Sequence, residues 1–506
     1  TGSDGLLAPD GQAGSEPSAV PTPGDGALPT FRGLAARSAL FGLGGVAQKV
    51  VGVLLIPLIT RSLSTTAFGR LEVLSTLITT VTSIAVLGLD IVATRQWVDH
   101  DGPGRQRMFG SWLGLSILVG GGLALVGFAA AAPLSRLVFG TEDLAAGVRL
   151  AGLCAFVNLL SVVGLTALRN EARSGTYAVV AVATVVTNAV LSGVLAWRLK
   201  SVEGVLLGLT LATALGATMA LLFARHLVCH RPSLTTARTL LVVTAPLVPG
   251  LLLTSGGDLA SRFVLLGQAG ATEVGFYSIA IRFTAVGLLV HTGFQLAWQP
   301  RAYAISARPG GRRRLGDDAA SITVILAAVT VALACTSPEL LRVLAGHRYD
   351  DALGAVGLGL LVPLATLAFT IATTPLVIAN RLRAMGLAAA VAALVSLATT
   401  TLLAADHGAA GAMVALSVGQ LTGAVLALRM TRGETSTLQF GAWRWCLLAL
   451  TAAIVAVTVT VPGGGAGPLQ RAVALTGYAG IVVALEPALV RSGLRRLVEL
   501  RSPQRR

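Results

Sequence analysis

Long apolar segments separated by short polar stretches recur along the chain from Arg37 to about residue 490. An α-helix rises about 1.5 Å per residue, so roughly twenty residues cross a hydrocarbon core of about 30 Å. These segments are too long for membrane strands and lack the alternation that strands require. The pattern therefore predicts an all-α polytopic membrane protein.

The segments predict about fourteen membrane-spanning helices. Their approximate bounds are 38–60, 69–94, 109–132, 148–168, 176–197, 204–224, 239–258, 276–300, 319–336, 353–379, 384–405, 408–428, 442–461 and 470–490. The very short Asp406–His407–Gly408 connection predicts an antiparallel helical hairpin at that point.

Composition and charge placement agree with this class. Mean hydropathy is +0.78 and only 12% of residues are charged, about half the fraction of a soluble protein. The net charge is +15, and most of the 38 lysines and arginines fall in loops on one side when the N-terminus is placed in the cytoplasm. We therefore expect a plasma (inner) membrane protein with both termini cytoplasmic, and no nucleic-acid partner.

Landmarks repeat at a spacing of about 206 residues. Ala67–Gly69 and Glu273–Gly275 open corresponding spans, and Arg95 and Arg301 close them. The repeat predicts two six-helix lobes that run in the same direction. The predicted divisions are a disordered cytoplasmic tail, an N-lobe, a C-lobe, two additional helices and a basic cytoplasmic tail, at 1–34, 35–230, 231–430, 431–490 and 491–506.

The span Phe276–Pro300 carries Arg282, His291 and Gln295. An arginine within the membrane costs about 2.5–3.5 kcal/mol on insertion scales, so it marks a functional-site hypothesis. Arg282 and His291 are nine residues apart and point in opposite directions. We expect Arg282 at an outer gate, with His291 and Gln295 on the deeper wall of a cavity. The alternatives are that Arg282 snorkels to the interface and that His291 is a hydrogen-bonded core residue.

Lys49 lies near the midpoint of the first span, on the same face as Gly42, Gly45 and Gly52. The small residues leave space around the ammonium group, which makes Lys49 a candidate for binding an anionic substrate. Small residues also allow close helix packing. The alternative is therefore a lysine neutralised by Asp90 at a lobe interface.

Four further charged residues are candidates for gates or ion pairs. Asp90 and Arg95 lie near the inner end of the second span, where they pair or close a cytoplasmic gate. Asp258 and Arg262 lie one turn apart at a predicted outer helix end. The alternatives are an interfacial carboxylate for Asp90 and a local structural ion pair for the second couple.

No metal, redox or catalytic pattern is visible. The four cysteines are isolated from one another, and the chain has no Walker motif and no nucleophile–base pair. We expect a protein that is not an enzyme and needs no cofactor. Coupling to H⁺ or Na⁺ is left open.

Three stretches resemble Wzx-type polysaccharide flippases of the multidrug/oligosaccharidyl-lipid/polysaccharide (MOP) exporter superfamily. They are IPLITRSLSTTAFGRLEVLST (56–76), GGDLASRFVLLGQAGATEVGFYSIAIRF (256–283) and FQLAWQPRAY (294–303). The resemblance covers about 35–490. It implies a V-shaped bundle that exports undecaprenyl-diphosphate-linked oligosaccharides by alternating access. The partners it implies are that glycan, membrane lipids, and polysaccharide polymerases or glycosyltransferases.

Three other functions compete with this one. A MATE-like cation-coupled multidrug antiporter would place carboxylates deep in the lobe centres, whereas the intramembrane charges singled out above are mainly cations. A MurJ-like lipid II flippase belongs to the same class but carries a peptide-bearing substrate. A membrane-embedded glycan polymerase or ligase would need a large extracytoplasmic loop, and the predicted spans leave none.

Overall fold

The computed structural model describes residues 55–245, 248–306, 311–431, 449, 451–458 and 468–485. Within these ranges the regular structure is helical and contains no strand. Nine of the described segments are long and apolar enough to cross a membrane. The predicted all-α membrane fold is therefore confirmed. Of the predicted spans 38–60 and 442–461, only residues 55–60, 449 and 451–458 are described.

The described chain has two successive groups of helices. After the helical residues 55–62, the first group comprises Thr65–Val86, Leu89–Asp99, Gly102–Ala129, Ala131–Phe139, Ala145–Asn170, Ser174–Leu199 and Val202–Phe223. We call residues 55–223 the first half. The short helices Arg225–Val228 and Leu234–Thr244 connect the two groups. The second group comprises Val248–Ala269, Ala271–Ser306, Gly311–Ala345, the 3₁₀ helix His347–Ala352, Leu353–Gly359, Val362–Ile378 and Leu382–Met430, and Pro468–Leu485 follows it. We call residues 248–430 the second half.

Serine and aspartate N-caps begin several of the helices. The Ser64 and Asp101 side chains accept hydrogen bonds from the backbone N–H groups of Ala67 (3.1 Å) and Gly104 (2.8 Å). Ser201 caps the helix Val202–Phe223 in the same way. Each cap satisfies a donor that has no partner inside its own helix.

Two predicted spans have different bounds in the structure. The span predicted at 69–94 is broken, because Leu87 and Gly88 both adopt left-handed backbone conformations (φ 54° and 72°). The span predicted to end at residue 258 continues as a helix to Ala269. Its last turns remain apolar through the Phe263–Leu266 run, which packs against the core.

The hairpin predicted at residues 406–408 is present. Leu382–Met430 contains a sharp reversal at Gly408, whose backbone is non-helical (φ 50°, ψ −133°). The two arms pack antiparallel: a Cβ on Gly411 would lie 2.7 Å from the Leu403 carbonyl oxygen, and one on Gly419 2.5 Å from that of Ala392. The arms approach this closely because glycine has no side chain.

The two ends of the bundle differ in how the halves pack. At the shared end, with turns at Ser64, Gly140, Lys200, Gly270, Gly346 and Gly408, one apolar core includes residues of both halves. At the split end, with turns at His100, Ala172, Cys229 and Asn380, the apolar cores are separate. Leu234–Thr244 packs with the first half there, through Leu240. Contact between the halves extends from the shared end as far as Thr80, whose Oγ1 donates to the Ser255 carbonyl oxygen at 3.2 Å. Beyond it, towards the split end, the described residues of the two halves form independent cores.

The outer surface of the bundle is apolar. Leu118, Leu125 and Leu402 are each at least 70% exposed in the isolated chain. In a soluble protein such a surface would be costly, whereas lipid tails solvate it. The exposed leucines therefore fit a membrane-embedded bundle.

Candidate functional site

Glu72 lies two turns inside the helix Thr65–Val86 and is only 9% exposed. The helix begins at the shared end and packs against Ala271–Ser306 and Val248–Ala269 of the second half. A carboxylate buried there needs a positively charged partner, because transfer of an isolated charge from water is very costly. Two arginines of the second half supply it.

Arg282 and Arg262 approach Glu72 from two different helices. Arg282 Nη2 donates to Glu72 Oε1 at 2.5 Å, and Arg262 Nη1 lies 3.4 Å from Glu72 Oε2. The Arg262 side chain is 7% exposed and that of Arg282 is 28% exposed. Each carboxylate oxygen thus has its own guanidinium partner, and both ion pairs join the first half to the second.

The two guanidinium groups have further partners. Arg262 Nη1 also donates to Ser278 Oγ at 2.8 Å, and Arg262 Nε lies 3.5 Å from Asp258 Oδ2. Arg262 faces the ring of Tyr277, with Cζ 5.5 Å from the ring centroid, and Arg282 lies 5.3 Å from that of Phe68. Such cation–π contacts contribute about 0.5–2 kcal/mol. We call Glu72, Arg262, Arg282, Asp258 and Ser278 the Glu72 cluster.

The cluster is balanced in charge but incompletely hydrogen-bonded. Two carboxylates face two guanidinium groups, yet Arg262 Nε and Arg282 Nη1 are buried and make no hydrogen bond to any described residue. The 3.5 Å approach of Arg262 Nε to Asp258 is an ion pair without hydrogen-bond geometry. An unsatisfied buried donor costs about 1–3 kcal/mol. Access of water to the cluster would therefore offset part of the cost of separating its ion pairs.

The backbones of the two halves are close together one turn from Glu72. Thr66 Oγ1 and Thr272 Oγ1 are 2.9 Å apart. A Cβ on Gly69 would lie 1.6 Å from the Ala271 carbonyl oxygen, and one on Gly275 would lie 3.0 Å from that of Thr65. Only glycine fits at Gly69 with this spacing, so the local sequence allows the approach that brings Glu72 to its arginines.

The structure brings three of the sequence-predicted residues together: Arg282, Arg262 and Asp258. Arg282 does not snorkel to a lipid interface; it contacts Glu72 between the halves. The Asp258–Arg262 ion pair is present, but within a continuous helix and not at a helix end as expected.

His291 and Gln295 lie elsewhere, in a cavity inside the second half. His291 Nε2 is 2.9 Å from Thr370 Oγ1, and the cavity has a volume of about 410 Å³. Arg282 and His291 therefore face different surroundings, as their spacing predicted. The His291 ring is both hydrogen-bonded in the core and part of a cavity wall.

Asp90 and Arg95 are not part of either site. Within the described residues the ion pair suggested between them is absent, because five residues along the helix Leu89–Asp99 set them about 140° apart. Asp90 lies in the first turn of that helix, where a carboxylate is favourable. Lys49 lies outside the described residues.

Sequence reasoning missed Glu72, the residue at the centre of the cluster. Its signal was the same as that of Arg282, an ionisable side chain inside an apolar span. Its partners could not be read from local sequence, because they lie 190 and 210 residues further along the chain.

Comparison with known proteins identifies the family. The sequence profile of the family described as polysaccharide biosynthesis protein matches residues 34–302, more than half of the chain. The chain belongs to this family. The matched range contains Glu72, Arg262 and Arg282. No curated protein sequence matches the chain significantly.

Solved structures of MOP-superfamily transporters share the fold. Lipid II flippase MurJ in an inward closed conformation is 12% identical, with a TM-score of 0.68 over 89% of this chain and 100% of the other. An inward-facing multidrug resistance MATE family transporter is 17% identical, with a TM-score of 0.61 over 81% and 95%. A MOP superfamily transporter from Pyrococcus furiosus is 16% identical, with a TM-score of 0.56 over 80% and 96%. This family member therefore has the MOP transporter fold.

Proposed function

We propose that this protein flips undecaprenyl-diphosphate-linked oligosaccharide units across the plasma membrane by alternating access, without catalysing a covalent reaction. The Glu72 cluster acts as the gate at the shared end. In the positive-inside topology the shared end is extracytoplasmic. The structure then corresponds to the state that receives substrate from the cytoplasm.

The observation that carries the proposal is the asymmetry between the two ends. Glu72, Arg262 and Arg282 form ion pairs between the halves at the shared end, while the described residues at the split end form separate cores. Alternating access needs a contact that is formed in one state and broken in the other.

The family supports the substrate class. Polysaccharide biosynthesis at a membrane needs a step that moves lipid-linked sugar units to the side where polymerases act. Glycosyltransferases are the class of enzyme that supplies such a substrate, and polymerases are the class that consumes it. The diphosphate needs a cation in a low-dielectric cavity, and Lys49 is the candidate from the sequence.

The substrate class is tested with purified full-length protein in proteoliposomes. Transport is measured for three probes: the undecaprenyl-diphosphate-linked oligosaccharides extracted from the producing organism, lipid II, and a fluorescent organic cation. We expect movement of the first probe only. Movement of lipid II in its place would make the protein a peptidoglycan-precursor flippase, and efflux of the cation driven by a H⁺ or Na⁺ gradient would make it a drug antiporter.

A further inference from the structure

The described residues that line the cavity in the second half are polar and apolar. Its walls come from the helices Ala271–Ser306 and Val362–Ile378 and the two arms of Leu382–Met430. The residues used below are His291, Gln295, Trp298, Thr370, Thr374 and Gln420. No aspartate, glutamate, lysine or arginine is among the described residues that line it. A diphosphate or an organic cation therefore finds no counter-charge among these described residues.

Two amide groups in the wall have no hydrogen-bond partner among the described residues. Gln295 and Gln420 are half-buried, and neither side chain makes a hydrogen bond within the described part of the chain. Each amide offers two N–H donors and one carbonyl acceptor. Both are therefore available to a ligand that carries several hydroxyl groups.

The remaining wall is preorganised. Trp298 Nε1 donates to Thr374 Oγ1 at 2.9 Å, and His291 bonds Thr370 at the same distance. The Trp298 ring is further held by Phe294, at 4.9 Å between centroids. Trp298 itself is only 3% exposed, so its ring fixes the shape of the wall. The hydroxyl and amide groups beside it match the hydroxyl-rich edge of a sugar.

The size and location of the cavity fit the same ligand. A volume of about 410 Å³ lies in the usual range of about 300–1,000 Å³ for small-molecule sites. Tyr303, Ile378 and Met385 line the part nearest the split end. The cavity therefore extends towards the split end of the second half.

We propose that this cavity is a glycan subsite that binds one or two neutral sugar residues of the lipid-linked oligosaccharide. The inference rests on the proposed function and assigns the sugars and the diphosphate to different places. The diphosphate stays with cationic groups outside this cavity. The amides of Gln295 and Gln420 bind sugar hydroxyl groups, and the buried Trp298 ring beside them holds the wall in place.

The test compares two probes on purified full-length protein in nanodiscs: undecaprenyl diphosphate, and the undecaprenyl-diphosphate-linked oligosaccharides extracted from the producing organism. The variant Gln295→Leu with Gln420→Leu keeps side-chain size and removes both amides. We expect it to weaken oligosaccharide-lipid binding at least tenfold and to change undecaprenyl diphosphate binding less than twofold. Thr292→Ala, an exposed position on the same helix outside the cavity wall, is the matched control and should change neither affinity.

A second measurement does not depend on that double variant. The oligosaccharide-linked probe should change the tryptophan fluorescence of the wild type, and Trp298→Phe should remove most of that change. Undecaprenyl diphosphate should give no Trp298-dependent change. The subsite would be overturned if the double variant lost affinity equally for both probes, or if it lost no affinity for the oligosaccharide-linked probe. A wild type that binds neither probe would instead overturn the proposed function together with the subsite.

Discussion

Thr66 and Thr272 are hydrogen-bonded to each other at 2.9 Å although 206 residues separate them in the chain. That separation equals the spacing of the sequence repeat. Two equivalent residues that touch across an interface lie close to the axis relating the repeats. Contact between the halves at the shared end is therefore centred on the opening turns of the helices Thr65–Val86 and Ala271–Ser306.

The repeat also extends to the cluster. Ser278 is the equivalent of Glu72 at the same spacing. Both side chains accept a hydrogen bond from Arg262 Nη1. One position of the repeat thus supplies a charge and the other a hydroxyl group. An asymmetric pair of this kind gives Arg262 two partners from two helices.

Gly69→Ala should prevent closure of the shared end. The new methyl group would lie 1.6 Å from the Ala271 carbonyl oxygen in the present arrangement, so the two helices must move apart. Overpacking of this kind typically costs about 1–3 kcal/mol. We expect lower thermal stability in detergent and a large loss of glycan export, measured by surface polysaccharide in a strain that lacks the wild-type gene.

The control for this substitution is Gly267→Ala. Gly267 lies in the helix Val248–Ala269, where an added Cβ meets no atom within 4 Å. Stability and export should both stay near wild type. If Gly69→Ala behaved like this control, the close contact would not be needed for closure.

Glu72→Gln should destabilise the closed shared end. It leaves the buried guanidinium groups of Arg262 and Arg282 facing an uncharged amide. Removing one partner of a buried ion pair costs about 3–5 kcal/mol. We expect a lower unfolding temperature and increased labelling of a cysteine at Thr272 by a membrane-impermeant maleimide in intact cells.

A double variant distinguishes the loss of the Glu72–Arg282 ion pair from a general loss of stability. Glu72→Gln with Arg282→Gln removes one charge of each sign, and Arg262 keeps Asp258 and Ser278 as partners. Stability should recover a substantial part of what the single change lost. Additive losses in the double variant would mean that the two side chains do not act as a pair.

The sequence predicts the spans well where apolar runs are long and bounded by polar turns, as for Ser174–Leu199 and the hairpin at Gly408. It does not predict the break at Leu87–Gly88, because a left-handed leucine has no local signal and arises from tertiary packing. The continuation of Val248–Ala269 past Asp258 was missed for a related reason. The charged residues Asp258 and Arg262 suggest a helix end when only local sequence is considered. The partners of Arg262 on other helices, Glu72 and Ser278, explain why these charges occur within a continuous helix.

For the site, local sequence locates single ionisable residues but not their partners. Arg282 was found because a cation in an apolar span is unusual. Glu72 was overlooked although it obeys the same rule, and its role depends on contacts with helices about 200 residues away. For the cavity around His291, the sequence predicts only the wall formed by His291 and Gln295. The opposite side is formed by Thr370 and Gln420, which are distant in sequence.

Lys49→Ala should abolish glycan export while the protein still inserts and folds. Lys49→Arg should retain part of the activity, because the charge remains while its shape and hydration change. If Lys49 is instead neutralised by Asp90, the double variant Lys49→Ala with Asp90→Ala should rescue export, since no unpaired charge remains. Rescue would make Lys49 structural and would contradict its role in binding the diphosphate.

The predicted orientation places the split end in the cytoplasm. Arg107 and Asp143 are both exposed and lie near opposite ends of the segment that contains Gly102–Ala129. In intact cells an impermeant thiol reagent should label Asp143→Cys and spare Arg107→Cys until the membrane is opened. The reverse pattern would invert the assignment of both ends.

The central claim, that the shared end must open for transport, is tested most directly by locking it. In a background with the native cysteines replaced by serine, Thr66→Cys with Thr272→Cys should form a disulfide under oxidation, since the two hydroxyl oxygens are 2.9 Å apart. The matched control is Thr94→Cys with Asn170→Cys, a 3.1 Å side-chain contact within the first half. We predict that oxidation stops export of the lipid-linked oligosaccharide by the first pair, that reduction restores it, and that the control pair continues to export. Export that continues with Thr66 and Thr272 fully cross-linked would contradict the account.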